Sequence, residues 1–345
     1  MLNETTFLIK KLVRQIALCC SLLVLIILVG ALLLNVNSLS TIHKPADIQL
    51  QTIDAIYEVS LLKNSNENES IKYGHELFTN TSKHIGPNNG SPNMMYSGNR
   101  LACNNCHLQG GTKLYAAPLI GVSNRFPQFR GRENKIGTIE ERINGCMERS
   151  MNGRALPFQG KEMKAFVAYL KWLSRFAPKD GQIEGQGFVK IEFPNRKVDL
   201  QKGEQIFKTT CMECHGHDGR GKMMPNMLAY KYPPLWGADS YNNGAGMNRV
   251  ITAAQFIKAN MPFGTTYEAP LLTDEEAYDV AGFINQQKRP LKSKRELDFP
   301  DLKKKPVSTP YPPYLDSFPI HQHQLGPFQP IIAFYKKEYN IIKSK

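Results

Sequence analysis

Two Cys-x-x-Cys-His runs constrain this chain more than any other feature: Cys103-Asn104-Asn105-Cys106-His107 and Cys211-Met212-Glu213-Cys214-His215. Each is the covalent attachment pattern of a c-type haem, with two thioethers to the porphyrin vinyls and the adjacent His as an axial iron ligand. Two intervening residues let both sulfurs reach one porphyrin edge, and the next residue then aims its imidazole at the iron. A zinc site built from two Cys pairs usually spaces them by about 15–20 residues, whereas 108 residues separate Cys103 from Cys211. A redox Cys-x-x-Cys occurs once, in a thioredoxin-like βαβ setting that this pattern lacks. The expected cofactors are therefore two covalent haem c groups, held by Cys103, Cys106, Cys211 and Cys214, with His107 and His215 as proximal ligands.

The N-terminus bears on compartment. Lys10, Lys11 and Arg14 precede an apolar run from Ile16 to Leu34, long enough to cross a bilayer as a helix and longer than a usual signal-peptide core. The exit, Leu34-Asn35-Val36-Asn37-Ser38, has no small-x-small cleavage pattern. The basic flank is expected to stay cytoplasmic, which puts the body on the periplasmic side of an inner membrane, anchored by residues 16–34; cleavage after residue ~40 is the alternative. Cys19 and Cys20 lie early in the run behind Leu18, too large for a lipoprotein site, and read as apolar residues. Cys146 is then the one cysteine of the body without an assigned partner. The formal net charge of +13 suits anionic small molecules, an acidic partner or anionic lipid. Nucleic acid is not an expected partner outside the cytoplasm.

Internal similarity places the domains. In the first half Thr138–Gly145 leads to Cys146, and a helix containing Met163–Leu170 follows; in the second, Thr252–Asn260 leads to Met261, and a helix containing Ala277–Ile284 follows. Thr273 with Glu276 makes a capping box for that last helix. Short helices are expected over Ser70–Phe78 and Leu200–Phe207, ahead of the two motifs. The expected fold is mainly α: two fused cytochrome c domains behind a transmembrane helix and ahead of an extended Pro-rich tail. The segments are 1–36 (anchor), 50–178 (first domain), 179–187 (Gly/Pro-rich linker), 188–290 (second domain) and 291–345 (basic tail). Prolines at 300, 306, 310, 312, 313, 319, 327 and 330 oppose a regular helix, so the tail is expected to be a solvated strap or mobile segment.

The distal iron ligands decide the chemistry. For the second haem Met261, ahead of Pro262 and the final helix, is the leading candidate, with Met247 the alternative; a His/Met pair raises the potential. At the equivalent place in the first half stands Cys146. A coordinating thiol is deprotonated outright, and an anionic thiolate favours ferric iron. Met147, Met151 and His84 are alternatives, and a buried inert thiol is the bland reading of Cys146.

Arg142-Ile143-Asn144-Gly145-Cys146-Met147-Glu148-Arg149-Ser150-Met151-Asn152-Gly153 resembles the dihaem thiosulfate dehydrogenases that form tetrathionate, whose first domain is related to the SoxA cytochromes of sulfur oxidation. The resemblance runs from about Tyr73 to Pro290 and includes Trp236–Met247 and Asn260-Met261-Pro262. It implies Cys146 as the active-site cysteine ligand of the first haem, Met261 as a ligand of the second, and Ser123, Arg132 and Arg142 in the substrate pocket. Some members carry Lys before the methionine and exchange ligands with redox state; Asn260 stands there instead. The anchor and tail lie outside the shared region.

The implied reaction joins two thiosulfates into tetrathionate with two electrons passed to a soluble or membrane cytochrome c, or runs in reverse. Two dianions at ~4 Å repel by roughly 4 kcal/mol even in water, so a basic pocket is a chemical requirement. Arg125, Arg130, Arg132, Arg142, Arg149 and Arg154 crowd the stretch around Cys146, and guanidinium forks match sulfonate oxygens. About half are expected to pair with haem propionates instead. The competing functions are an electron carrier in which Cys146 only tunes a potential, and a SoxA-like enzyme that conjugates thiosulfate to a carrier protein. A dihaem peroxidase fits less well, because no distal pattern indicates an open iron.

Overall fold

Ser65 accepts the Asn68 N–H on its hydroxyl and starts helix α1, Asn66–Thr79, with Glu67 and Glu69 in the first turn where the helix dipole favours them. Thr138 and Glu141 form a capping box at the start of α2, Ile139–Met147. Helix α3 spans Lys161–Ser174. In the second half Asp199 caps α4, Leu200–Ile206, which runs through a π turn at Phe207–Cys211 into a last turn at Met212–His215. Helix α5 is Val250–Asn260, and α6, Asp274–Gln286, begins at the expected Thr273–Glu276 capping box. The computed structural model describes residues 14–18, 20–26, 56–226 and 228–343. Among these, paired strands are confined to two small antiparallel hairpins, β1 (Gln128–Arg130) with β2 (Lys135–Gly137) and β3 (Lys222–Met223) with β4 (Tyr230–Tyr232).

The same helix crossing occurs in both halves. At Gly74 of α1 an added Cβ would collide with the Ala165 carbonyl oxygen and stand 2.7 Å from Tyr169 Cβ of α3. At Gly203 of α4 it would collide with the Asp279 carbonyl oxygen and stand 2.9 Å from Phe283 Cβ of α6. One turn on from each glycine an aromatic ring meets the partner helix: Phe78 lies 5.7 Å from Tyr169 and Phe207 lies 5.6 Å from Phe283, centroid to centroid. Ala165 and Tyr169 match Asp279 and Phe283 in the register of the sequence repeat. The halves differ at the haem motif. Cys214 and His215 end a continuous helical run, whereas Cys103–Asn105 is a separate 3-10 turn well after α1.

Each crossing anchors its own apolar core. The first gathers Leu77, Phe78, Met147, Met163, Tyr169 and Leu173; the second gathers Phe207, Ile251, Ala254, Tyr278 and Val280. The lobes interlock. Tyr241 and Ala245, from the second half of the chain, are buried in the first core. Asn242 Nδ2 donates to Glu148 O at 2.9 Å, and Asn99 Nδ2 donates to Ser240 O at 3.1 Å. The Gly-rich connection is fixed to the first lobe: the N–H groups of Tyr115 and Ala117 donate to Gly185 O and Gly187 O, both at 2.7 Å.

One expectation needs correction. The tail is neither wholly extended nor solvated. Helices α7 (Ile320–Leu325) and α8 (Gln329–Tyr339) form within it, and Phe328, Ile331 and Tyr335 are buried in the second core. Its prolines fall where helices tolerate them: Pro319 is the N-cap of α7 and Pro330 sits in the first turn of α8. His323 bonds Val307 O at 2.8 Å through Nδ1 and Asp316 at 2.9 Å through Nε2. The anchor falls partly outside the described residues. Residues 14–18 and 20–26 are helical with exposed side chains and belong to a separate unit ending at Ile56. No helix among the described residues is long and apolar enough to cross a membrane, and residues 27–34 of the expected span, with Cys19, lie outside them.

Replacing Gly203 with Ala tests the crossing. Ala gains about 1 kcal/mol of helix propensity, but the added methyl meets backbone rather than a movable side-chain tip, and overpacking costs about 1–3 kcal/mol. The expected outcome is a lower melting temperature; a higher one would show that the two helices part without cost.

Candidate haem sites and an arginine-rich pocket

The first haem motif opens onto a cavity lined by Cys103, Cys106, His107, Arg142 and Cys146, with walls that are otherwise mostly apolar, among them Phe78, Leu101, Val122, Phe166 and Tyr241. His107 Nδ1 bonds the Ala117 carbonyl at 2.7 Å, so the proton sits on Nδ1 and the Nε2 lone pair is left for a metal. Burial pushes the pKa of this ring down to about 4, against the Ala117 bond that raises it, so the imidazole is neutral. His215 repeats the arrangement, with Nδ1 bonded to the Pro233 carbonyl at 2.8 Å and burial lowering its pKa. Two sulfurs and an imidazole with its other nitrogen fixed are what a covalent haem requires; both lobes supply them, and in the first a largely apolar cavity opens onto them.

Cys146 lies in the last turn of α2, half-buried, in the same cavity as His107. Met147 and Met151 also line it, and both are buried in the first core. Met247 belongs to this first cavity rather than to the second lobe's haem, since the segment carrying Tyr241 and Met247 folds back against the first core. His84 is not among the lining residues; it lies 3.5 Å from Glu76 and edge-on to Tyr73. In the second lobe Met261 caps α5 and packs at the margin of the core together with Cys211, Met212, Leu235 and Trp236. Asn260, beside it, donates through Nδ2 to Tyr115 O of the first lobe at 3.1 Å.

The arginines divide by partner. Arg125 donates to Gly181 O, and Arg154 donates to Asn93 O and Met95 O while stacking on Tyr96, so these two serve the backbone. Arg130, on β1, pairs with Glu133 at 3.0 Å, and burial lowers its pKa. Arg132 and Arg149 share the buried carboxylate of Asp298, each at 2.7 Å. The Arg142 guanidinium has no hydrogen-bond or ion-pair partner among the described residues, and the residue lines the cavity. Ser123 is not on the cavity wall; its N–H donates to Ser174 Oγ at 3.1 Å, and its own hydroxyl is buried without a partner.

Sequence reasoning missed Arg249, the N-cap of α5. Its side chain makes one long hydrogen bond, Nε to Gly246 O at 3.4 Å, and has no carboxylate partner among the described residues. Burial, then the nearby charges of Arg132 and Arg142, pushes its pKa down to about 10. A half-buried cation within electrostatic reach of two other cations needs an anion to offset it. The sequence signal was slight, since Arg249 stands more than 100 residues from the others and only the folding-back of residues 237–248 brings it close.

The comparisons agree with this geometry. Residues 95–178 match the family described as "SoxA/TsdA, cytochrome c domain", and residues 200–288 match "Cytochrome c". The thiosulfate dehydrogenase of Psychrobacter arcticus is 39% identical over 67% of this chain and 67% of its own length. That of Allochromatium vinosum is 38% identical over 76% of this chain and 92% of its own. The solved thiosulfate dehydrogenase (TsdBA) of Marichromatium purpuratum superposes with a TM-score of 0.62 at 33% identity; the match covers 68% of this chain and spans about half, 49%, of that longer one. With two cytochrome c domains, two covalent c-type haems and these relatives, the chain belongs to the thiosulfate dehydrogenase family of dihaem cytochromes.

Proposed function

We propose that this protein interconverts two thiosulfates and tetrathionate at the Cys146 cavity, exchanging two electrons with a cytochrome c partner. The observation that carries this is a cysteine in one cavity with the Arg142 guanidinium, which like Arg249 within its electrostatic reach has no carboxylate partner among the described residues. In this reading Cys103, Cys106, His107 and Cys146 would hold the first haem, and Cys211, Cys214, His215 and Met261 the second. When bound, the haems supply acceptors for the two electrons.

Cys146 Sγ bonds the terminal sulfur of one thiosulfate, giving Cys–S–S–SO3⁻ as two electrons leave. The terminal sulfur of a second thiosulfate then attacks the outer sulfur of that adduct. Tetrathionate departs and the cysteine thiolate returns, so the sum is two thiosulfates to one tetrathionate and two electrons. Arg142, Arg249 and the uncommitted edge of Arg132 hold sulfonate oxygens and offset the repulsion between two dianions, which in a partly dry pocket exceeds its value in water.

An electron carrier would gain nothing from unpaired cations next to the cysteine, and a SoxA-like conjugating enzyme would need a protein carrier and release no tetrathionate. Assaying the purified dihaem protein with thiosulfate plus an oxidised acceptor, and with tetrathionate plus a reduced donor, separates the three. Cys146→Ala is expected to retain both haems by absorbance and to lose at least about 100-fold in turnover; substantial residual activity would remove the covalent role. Met261→His is expected to lower the midpoint potential of the second haem, because a thioether ligand raises it, while the KM for thiosulfate stays put. An unchanged midpoint would place that ligand elsewhere.

The apolar run 16–34 is proposed to hold the body at the outer face of an inner membrane. Support comes from its length, its basic N-terminal flank and the exposed Ile16, Leu22 and Leu25. The full chain should stay with membranes through an alkaline wash, and a chain begun at Tyr57 should not. Release of both would refute the anchor.

A further inference from the structure

The tail enters the arginine cluster at one point. Asp298 is 4% exposed and sits where four donors converge. Its Oδ2 accepts from Arg132 Nη1 at 2.7 Å and from Tyr311 Oη at 2.8 Å; its Oδ1 accepts from Arg149 Nη2 at 2.7 Å and lies 3.8 Å from Lys292 Nζ. The next residue, Phe299, holds a left-handed φ of +62°, an uncommon conformation for a bulky side chain. Arg132 secures it twice: the Phe299 N–H donates to Arg132 O at 2.7 Å, and the guanidinium stands 4.8 Å above the Phe299 ring. A little further on, Lys304 donates to Asn134 at 2.9 Å and lies over the Phe129 ring, fastening the tail across the β1–β2 hairpin that brings Arg132 into place.

The two arginines are used differently. Arg149 is consumed, with Nη1 on Gly145 O at 3.2 Å, Nη2 on Asp298 and Nε buried without a partner. It ties the carboxylate to the helix that carries Cys146. Arg132 is held at one end only: Asp298, Gly244 O and Tyr311 Oη all meet Nη1, and no partner among the described residues meets Nε or Nη2. A guanidinium pinned at one amine presents its remaining donors in a fixed plane.

We infer that Asp298 is a positioning residue for the arginine cluster next to the Cys146 cavity: it fixes Arg132 through Nη1 and leaves the Nε–Nη2 edge free to hold a sulfur oxyanion. Asp298 does not touch substrate; it acts through Arg132. Burial disfavours its charged form, but the contacts with Arg149 and Arg132 outweigh this and keep its pKa below the usual carboxylate value. The carboxylate also removes excess positive charge from Arg132 and Arg149, leaving Arg142 and Arg249 as the cations that substrate must neutralise. This inference rests on the thiosulfate reading of the pocket and adds to it a residue that lies beyond both matched cytochrome domains, which end at residues 178 and 288.

The test is steady-state kinetics of the dihaem holoprotein with thiosulfate, alongside haem absorbance and melting temperature. Asp298→Asn is expected to keep both haems and to raise KM about tenfold, the size of one misplaced charge-assisted contact, with kcat within about twofold. Arg132→Ala should raise KM at least as much, and the double variant should be no worse than Arg132→Ala alone, because the first residue works through the second. A lower melting temperature with unchanged KM would make Asp298 purely structural and overturn the inference, as would effects that add in the double variant. If Asp298→Asn does not accumulate as holoprotein, Tyr311→Phe removes only the hydroxyl on Oδ2. It should raise KM about threefold, and no rise would equally overturn the inference. Failure of the underlying reading looks different: the unmodified protein would then not turn over thiosulfate at all.

Discussion

At Gly74 and Gly203 the backbone of one helix lies directly against a carbonyl of another, and neither crossing has room for a Cβ. Helices normally keep 8–10 Å between axes because side chains intervene. A glycine at the contact removes that spacer and lets the aromatic ring one turn later, Phe78 or Phe207, reach the partner helix. Phe78 then serves as a wall of the first haem cavity. The separation of the two helices, the width of the slot beneath them and the distance of the haem motif from the opposite wall therefore follow from one close approach, made once in each lobe.

On that shared frame the first lobe gathers cations. Met261 packs at the margin of the second core, as do Cys211, Met212, Leu235 and Trp236. Beside the Cys146 cavity Arg130, Arg132, Arg142, Arg149 and Arg249 form a chain of cations within electrostatic reach of one another, and among the described residues the carboxylates that pair with them are Glu133 and Asp298. Leaving a guanidinium half-buried without a counter-ion costs stability. The cost is tolerable where a dianion, or a haem propionate, arrives to offset it. An apolar ligand shell suits a centre that only stores and passes an electron, whereas an under-compensated cationic one suits a centre that must bring two anions together.

Much of this was legible in the residues. The haem motifs name their own ligands, because Cys-x-x-Cys-His admits few other geometries. The repeat located Cys146 opposite Met261, and its helix register is the one seen at the crossings. What the sequence concealed was charge placed by long-range folding. Arg249 and Asp298 stand far along the chain from Arg132, and nothing local to either marks it as a neighbour. The tail misled for a related reason: proline counts oppose helices only in their interiors, and Pro319 and Pro330 occupy the starts of α7 and α8. Burial of Phe328 and Ile331 in the second core supplies what local propensity lacks.

Helix α5 joins these themes. Its N-cap is Arg249, within electrostatic reach of Arg132 and Arg142, and its C-cap is Met261, at the margin of the second core. Eleven residues of α-helix span about 16 Å. All but one of those residues are buried, so the helix cannot slide without disturbing the core around it. Its penultimate contact, Asn260 to Tyr115 O, ties the far end back to the first lobe. One rigid rod thus fixes how far the arginine cluster lies from Met261. A lysine at position 260 would have to give up that tie to reach a metal, so the same asparagine that holds the lobes together also leaves Met261 without a competitor next to it.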